Sequence, residues 1–320
     1  MKPWALIKAA LETHGTCAMI SVLEAKGSAP RDAGSRIILT PEGFHGTIGG
    51  GALEWQALAA AQVLLGKRPA VRRTNHQLGP QLGQCCGGRV ELLTEIYDVS
   101  ALPEVSQWAE FESQGCFMTE NRIGASRVER SLPRGLPDPA AYLEPFGEDP
   151  RPLYLFGAGH VGRALILALA PLPFRTTWID MRPNAFPGAL PDNAAAIMSA
   201  DPPAELTAAP AGSFVLVMSH SHALDLAIVE KAMRRDDLPY VGLIGSATKR
   251  ARFVKRLAEA GLPAARIAGL VCPIGAGLAS KLPTVIAAAT AVEVLKRDEM
   301  LRAETNPAAE QAPASRESRA

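Results

Sequence analysis

The sequence predicts an α/β protein in which an N-terminal α+β domain is followed by a Rossmann-like domain with a doubly wound parallel sheet. Two observations lead to this prediction. In the second half, short apolar runs alternate with helical patterns, which is typical of parallel strands joined by helices. The first of these runs leads directly into a glycine pattern, G-x-G-x-x-G, which opens a helix.

The elements of each half follow from apolar periodicity. In the second half, strands are predicted at residues 153–156, 176–179, 214–218, 240–244 and 270–272, with helices at 161–170, 222–235, 248–260 and 284–297. In the first half, strands are predicted at 18–24, 36–39, 71–77 and 90–97, with helices within 1–14 and at 52–65 and 102–114. This less regular mixture indicates an α+β domain.

Composition divides the chain into four parts. Residues 131–152 are rich in proline, which can neither continue a helix nor pair in a central strand. We therefore predict a linker there, between an N-terminal domain at 1–130 and the Rossmann-like domain at 153–300. Residues 301–320 have few large apolar side chains and predict a disordered tail.

Charge and cysteine content limit the class of protein. The chain carries 33 basic and 32 acidic side chains, so no broad field attracts nucleic acid or an anionic membrane. Its N-terminus lacks the apolar core of a signal peptide, and no apolar stretch reaches the roughly 20 residues that span a bilayer. The 5 scattered cysteines do not indicate a disulfide framework. We predict a cytoplasmic protein with reduced thiols that binds neither nucleic acid nor membranes.

The glycine-rich turn of the second domain predicts a phosphate or nucleotide site. Gly157 permits a tight turn, Gly159 lets a phosphate approach the backbone, and Gly162 allows close packing of the helix, whose N-terminus attracts anions. Asp180 ends the next strand and is placed to accept a ribose hydroxyl. His160 either points to a ligand or occupies a variable position. The alternative is that these glycines serve packing alone.

Polar residues follow the later strands, where the carboxyl ends of parallel strands form a common edge. The side chains expected there are those of Ser219, His220, Ser221, His222, Ser246 and Cys272. Their convergence near the glycine turn indicates a ligand site. A zinc site at the two histidines would need a third ligand, so helix capping or simple hydrogen bonding is the stronger interpretation.

Two loops of the first domain are suited to binding an anion. Residues 26–36 are mostly small and carry Arg31 and Arg36, which can donate bidentate hydrogen bonds; a solvated surface loop is the alternative. Gly49, Gly50 and Gly51 then precede a helix. Such consecutive glycines expose backbone N–H groups that form an anion-binding nest.

Cys85 and Cys86 lie in a third glycine-rich loop, LGQCCGGR. Adjacent cysteines rarely form a disulfide because the geometry is strained. Arg89 favours the thiolate form, and soft thiolates suit metal or sulfur chemistry. The alternative is a pair of buried cysteines at the end of a turn.

Six motifs occur in one order: GSAPRDAGS, GTIGGGALEWQA, LGQCCGGRVELL, LYLFGAGHVGRAL, VMSHSHALDL and LIGSATKR. In this combination the sequence resembles the xanthine dehydrogenase accessory protein family, XdhC, which is related to the CoxI-type accessory proteins. The resemblance implies a protein that is not itself an enzyme but binds and protects molybdenum cofactor, a molybdopterin. It also implies exchange of an oxo for a sulfido ligand with a cysteine desulfurase, and insertion of the product into the xanthine dehydrogenase apo-enzyme.

The resemblance also implies roles for the motif residues. Arg31, Arg36 and the glycines at 49–51 would hold phosphate or pterin, and Cys85 or Cys86 would face molybdenum. The turn at 157–162 would hold a further part of a ligand, such as a nucleotide. The loop CPIGAGLASKLPT departs from the family pattern and leaves the roles of Cys272 and Lys281 open.

Two other functions are compatible with the motifs. A nucleotide-dependent oxidoreductase would use the glycine turn and Asp180, with His220 or His222 as the acid–base residue. A ligand-sensing module would bind a nucleotide but transfer no cofactor. For each function a homo-oligomer is the expected assembly of a soluble chain of this kind.

Overall fold

The computed structural model describes residues 1–79, 87–136 and 138–305. The chain divides into two compact units, Met1–Asp149 and a second unit that begins at Pro150. Within the described residues, no helix has both the length and the apolar character needed to cross a bilayer.

The first unit contains two antiparallel sheets and three helices among its described residues. In chain order its elements are α1 (Pro3–His14), β1 (Thr16–Lys26), β2 (Arg36–Thr40), β3 (Gly43–Gly46), α2 (Gly51–Gln62), β4 (Ala70–Gln77), β5 (Arg89–Asp98), α3 (Leu102–Gln114), β6 (Phe117–Ile123), β7 (Val128–Ser131) and β8 (Tyr142–Phe146). The strand orders are β3-β2-β1-β5-β4 and β7-β6-β8. This unit is the predicted α+β domain.

The central strand β1 is buried on both faces. Ala18, Ile20 and Val22 pack in the same core as α2, whereas Cys17 and Met19 pack in the core that contains α1 and α3. Because both faces of the sheet are covered, β1 is a nearly continuous apolar run rather than an alternating one.

The predicted linker contains a strand. The segment Tyr142–Phe146 (β8) pairs antiparallel with β6, and Phe146 is buried in the core that contains α1 and α3. Since β8 is an edge strand, Pro145 does not interrupt a ladder between two neighbours. The predicted linker at 131–152 therefore contains an edge strand, which the exclusion of proline from central strands does not rule out.

Four charged side chains form a buried network in the first unit. Arg130 pairs with Glu95 at 2.5 Å, Arg36 pairs with Glu144 at 2.9 Å, and Arg130 lies 3.8 Å from Glu144. Burial opposes the charge on Arg130, but the nearby carboxylates outweigh burial and hold its pKa well above the usual value. Two arginines and two glutamates therefore form a buried set whose formal charges cancel.

The second unit is a six-stranded parallel sheet with helices on both faces. In chain order its elements are β9 (Arg151–Phe156), α4 (His160–Leu169), β10 (Phe174–Asp180), β11 (Ala194–Met198), α5 (Pro202–Glu205), β12 (Phe214–Val217), α6 (His222–Met233), β13 (Tyr240–Leu243), α7 (Ala247–Glu259), α8 (Ala264–Ala268), β14 (Leu270–Val271) and α9 (Pro283–Thr305). The strand order β11-β10-β9-β12-β13-β14 is that of a Rossmann fold, with its topological switch between β9 and β12. The predicted fold class is confirmed.

The end of the second unit differs from the prediction. Helix α9 extends to Thr305, so residues 301–305 of the predicted tail are helical. Leu301 packs against the core, and Arg302 Nε donates to Asp298 Oδ2 at 2.8 Å. These contacts supply the stabilisation that the composition of this segment alone does not suggest; residues 306–320 lie outside the described part.

Candidate functional site

The glycine-rich loops of the first unit lie against one another. A Cβ atom on Gly49 would lie 2.5 Å from Cγ of Pro30, in the loop between β1 and β2. A Cβ atom on Gly88 would lie 2.5 Å from the carbonyl oxygen of Ser28 and 2.6 Å from that of Lys26. A side chain at Gly88 would collide with these carbonyl oxygens, and one at Gly49 would collide with the Pro30 ring, so only glycine allows the segments to lie this close. The motifs at 27–36, 46–51 and 87–89 therefore meet at one place in this unit.

The predicted anion nest already binds a carboxylate of the chain itself. Glu54 Oε2 accepts hydrogen bonds from the Thr47 hydroxyl at 2.5 Å, from the Ile48 N–H at 3.0 Å and from the Gly50 N–H at 3.1 Å. Burial raises the pKa of Glu54, but these hydrogen bonds outweigh it and lower the pKa below its usual value. Some of the backbone N–H groups that were predicted to bind a ligand therefore donate to Glu54 instead.

The two arginines of the first loop have different environments. Arg36 is 9% exposed, and it donates from Nε to Glu144 at 3.2 Å and from Nη2 to the Pro145 carbonyl at 2.8 Å. The expectation that Arg36 holds a ligand anion is therefore corrected, because buried partners occupy its guanidinium. Arg31 is exposed and lies beside Gly49, and no other described residue forms a hydrogen bond or ion pair with its side chain.

Cys85 and Cys86 lie outside the described residues. Leu78 and Gly88, which flank that segment, are joined by a hydrogen bond of 2.8 Å from the Leu78 N–H to the Gly88 carbonyl. The chain therefore leaves and re-enters the described structure at one point, next to the loop that contains Ser28. The role of the two thiols stays a prediction.

The glycine turn of the second unit lies at the switch point of the sheet. Gly157 has φ of 115°, and a Cβ atom there would lie 2.2 Å from the Met218 carbonyl oxygen, which follows β12. A Cβ atom on Gly162 would lie 2.2 Å from the Gly157 carbonyl oxygen, which also accepts from Trp178 Nε1 at 3.0 Å. Packing within the protein therefore explains Gly157 and Gly162.

Gly159 differs from its two neighbours in the motif. Its φ of −79° and ψ of −171° are open to any residue, and a Cβ atom there would contact nothing within 4 Å. It precedes α4, whose N-terminus no side chain caps, whereas Ser221 and Ser246 cap α6 and α7 through their hydroxyls. His160 is exposed on the first turn of α4. Ser246 therefore caps α7. By contrast, no side chain covers the N-terminus of α4 after Gly159.

Asp180 is buried at the end of β10, and its carboxylate has four donors. Oδ2 accepts from the Ala158 N–H at 2.7 Å and from Arg182 Nη2 at 2.8 Å, while Oδ1 accepts from the N–H and the Nε of Arg182, both at 2.9 Å. Burial raises the pKa of Asp180, but the hydrogen bonds from Arg182 and Ala158 outweigh it and lower the pKa to about 2. A carboxylate has about four lone-pair sites. None remains for a ribose hydroxyl, which corrects the role predicted for Asp180.

A buried ion pair organises the loops after β12 and β13. Asp225 Oδ1 accepts from the Ser219 N–H at 3.0 Å and from the Ser219 hydroxyl at 2.6 Å. Lys249 Nζ donates to Asp225 Oδ2 at 2.7 Å and to the Ile244 carbonyl at 2.8 Å. The pair therefore ties the two loops together at the carboxyl edge of the sheet.

The histidines at this edge do not form a metal site with other described residues. His220 is exposed and lines, with Gly157 and Asp180, a cavity of about 10 Å³, roughly the space of one water molecule. No group of three or more His, Cys, Asp or Glu in the described part of the chain is close enough to hold a metal ion. Cys272 is buried near the Ser246 carbonyl, and burial raises the pKa of its thiol.

Sequence reasoning missed Glu54, Arg182 and the Asp225–Lys249 pair. A signal existed for both acids, since Glu54 and Asp225 stand in the first turns of α2 and α6, where carboxylates favourably meet free N–H groups. For Arg182, the signal was an arginine two residues after the acid that ends β10.

Fold and site together define a two-unit α/β protein in which a unit with converging glycine-rich loops precedes a Rossmann-type unit. The chain belongs to the XdhC and CoxI family. Residues 10–75 match the model of that family, and residues 153–294 match the model of the XdhC Rossmann domain. The two matches together cover about two thirds of the chain.

Two known proteins are similar to this chain. A crystal structure described as a xanthine dehydrogenase from Bacillus halodurans has a TM-score of 0.76 and 19% identity, covering 99% of this chain and 98% of that one. This likeness shows a shared fold. Escherichia coli K12 protein YqeB, described as uncharacterized, is 23% identical over 285 residues, which are 87% of this chain and 43% of YqeB. This chain therefore spans less than half the length of that relative.

Proposed function

We propose that this protein is an accessory protein that binds molybdenum cofactor and delivers it to xanthine dehydrogenase, rather than an enzyme. The observation that carries the proposal is the convergence of the loops at 27–36, 46–51 and 87–89 in the first unit. Family membership supports it.

The chemistry of the cargo fits residues of the glycine-rich loops and of helix α2, which follows one of them. Molybdopterin carries a phosphate, a pterin ring and a metal held by two sulfur atoms. Arg31 offers a guanidinium to the phosphate. Trp55, 74% exposed on α2, offers an aromatic face to a planar ring. Cys85 or Cys86 would contact the metal, because thiolates are soft ligands.

The negative charge of Glu54 restricts where the phosphate of the cargo can bind. Because its carboxylate fills part of the nest before α2, a phosphate placed there would meet a like charge. The phosphate therefore belongs nearer Arg31, outside the nest, and the glycines at 49 and 50 serve to bring the loops together. This assignment replaces the phosphate role that the sequence suggests for the nest and for Arg36.

The remaining parts of the proposal rest on the family resemblance. A cysteine desulfurase would supply sulfur for exchange of the oxo ligand, and the apo-enzyme would receive the finished cofactor. The protein would act in the cytoplasm as a homo-oligomer.

The test is to load the purified protein with molybdopterin and to measure bound molybdenum and pterin. Wild type should retain both near one equivalent, and Arg31→Ala and the double variant Cys85→Ala, Cys86→Ala should lose most of the cargo. Arg127→Ala and Cys116→Ala remove an exposed arginine and an exposed thiol elsewhere in the first unit and should behave as wild type. Transfer to an apo-molybdoenzyme would then separate a delivery protein from a sensor. If wild type retains no pterin while it turns over a substrate with a nicotinamide nucleotide, the oxidoreductase alternative replaces this proposal.

A further inference from the structure

The N-terminus of α4 is left open by the protein. The N–H groups of His160, Val161 and Gly162 find no acceptor among the described residues, and no side chain caps the helix. A serine or aspartate at Gly159 would cap these groups and stabilise the helix. Neither the backbone angles of Gly159 nor any neighbouring atom requires a glycine. The fold itself therefore does not require a glycine at 159 and leaves the approach to this turn open.

Arg182 is the second feature at this end of the sheet. One edge of its guanidinium, Nε and Nη2, donates to Asp180. The opposite edge, formed by Nη1 and the second Nη2 hydrogen, has no acceptor among the described residues, and 42% of the side chain is exposed. Such an edge matches two oxygens of a phosphate in a bidentate pair.

Asp180 couples Arg182 to the glycine turn. Its Oδ2 accepts from both Arg182 and the N–H of Ala158, the residue between Gly157 and Gly159. The guanidinium is thereby held in a fixed direction next to the turn, and its charge is balanced by a carboxylate that keeps no lone pair for a ribose hydroxyl.

We infer that the second unit binds a nucleotide that carries a phosphate on its ribose, with Arg182 as the residue that recognises this phosphate. In Rossmann folds the bridging phosphates lie at the glycine turn, and the ribose lies at the end of the second strand, which here is β10. An acid in that place selects a free ribose diol, and an arginine accommodates a 2′-phosphate. Here Arg182 donates three of the four hydrogen bonds that the Asp180 carboxylate accepts. The site therefore favours the phosphorylated ribose. This inference concerns a different unit from the proposed cargo site and does not depend on it.

The test is to titrate the full-length protein with NADP⁺ and with NAD⁺ at one ionic strength by calorimetry. Wild type should bind NADP⁺ about tenfold to a hundredfold more tightly, since hydrogen bonds to charged groups have that effect. Arg182→Ala should abolish the difference by weakening NADP⁺ alone. Arg175→Ala removes an exposed arginine from β10, the strand that precedes Arg182, and should leave the difference unchanged. Gly159→Ala should weaken both nucleotides, because a methyl group would occupy the approach to the turn.

Three results would overturn the inference: equal or tighter binding of NAD⁺ by wild type, a preference that survives Arg182→Ala, or no binding of either nucleotide. Adenosine 2′,5′-bisphosphate against 5′-AMP repeats the comparison without the nicotinamide half and should show the same preference. Each of these results leaves retention of molybdopterin by the first unit unaffected, so the two proposals fail separately.

Discussion

The carboxylate of Glu54 accepts a hydrogen bond from the backbone N–H of Gly50, four residues earlier in the chain. The same oxygen also accepts from the Ile48 N–H and the Thr47 hydroxyl. The glycine run is thus held in shape by the first turn of the helix that it introduces. The loop that the sequence predicts as an anion site therefore already has part of its N–H groups bound by a carboxylate of the same chain.

Removal of the Glu54 carboxylate should destabilise the first unit. In Glu54→Ala, the N–H groups of Ile48 and Gly50 and the Thr47 hydroxyl lose their acceptor, and we expect the free energy of unfolding to fall by about 1–3 kcal/mol. Glu54→Gln keeps an acceptor oxygen and should lose less. Urea unfolding measures both; equal losses would mean that the negative charge, not hydrogen bonding, holds the loop.

The buried network should tolerate loss of Arg130 poorly. Arg130→Met leaves Glu95 and Glu144 without their shared partner, and breaking a buried pair in this way costs about 3–5 kcal/mol. Arg122→Met removes an arginine from the exposed pair with Asp138 and should cost less than about 1 kcal/mol.

A rescue variant separates charge from packing in this network. Arg130→Met combined with Glu95→Gln removes one positive and one negative charge and should recover part of the lost unfolding free energy. If the double variant is no more stable than Arg130→Met alone, uncompensated charge is not the cause of the loss.

Asp180 should make stability depend on acid pH. Its pKa is about 2 in the folded protein and about 3.9 in an unfolded chain, so ionised Asp180 stabilises the fold above about pH 3.9. That contribution disappears as the pH falls towards 2. Asp180→Asn should be less stable than wild type by about 2 kcal/mol at pH 7, and the gap should narrow between pH 4 and pH 2. Asp192→Asn, at an exposed carboxylate of the same unit, supplies the comparison in urea unfolding at each pH; a gap of constant size would contradict the assignment.

The three glycines of the turn should respond differently to alanine. Gly157→Ala forces a methyl group against the Met218 carbonyl at a positive φ, and we expect a loss of about 2–4 kcal/mol. Gly162→Ala meets the Gly157 carbonyl and should behave similarly. Gly159→Ala should remain within about 1 kcal/mol of wild type, because nothing lies in its way. Thermal midpoints measure all three, and a severe loss at Gly159 would show that packing explains that residue too.

The parallel sheet was predictable because its central strands are buried. Strand β12 and the last four residues of β9 are short, buried apolar runs, and burial on both faces makes such runs easy to recognise. Of the strands that escaped prediction, β6 lies at the centre of its sheet, whereas the others lie at edges: β11 is mostly alanine and partly exposed, and β8 contains a proline. An edge strand forms because it pairs with its neighbour in the folded protein. Its own amino-acid composition therefore indicates little about whether it is a strand.

The sequence predicted which loops form the candidate site, but it did not predict which side chains pair with one another there. The motifs mark loops that do come together, because Gly49 leaves room for the Pro30 side chain and Gly88 for the carbonyl oxygens of Lys26 and Ser28. The sequence does not show that Glu54 fills the nest, that Glu144 binds Arg36, or that Arg182 saturates Asp180. Two of these pairs are close in sequence, yet each depends on side-chain directions that only the folded backbone fixes.

The neutral set of Arg36, Glu95, Arg130 and Glu144 constrains how this chain can change over evolution. A single substitution that removes one charge creates an imbalance inside the protein, so such variants should be rare among descendants of this sequence. Joint replacement of an arginine and a glutamate, or of all four by apolar residues, avoids that imbalance. The four positions should therefore vary together, and a homologue without the arginine at 36 or 130 should also have lost a glutamate at 95 or 144.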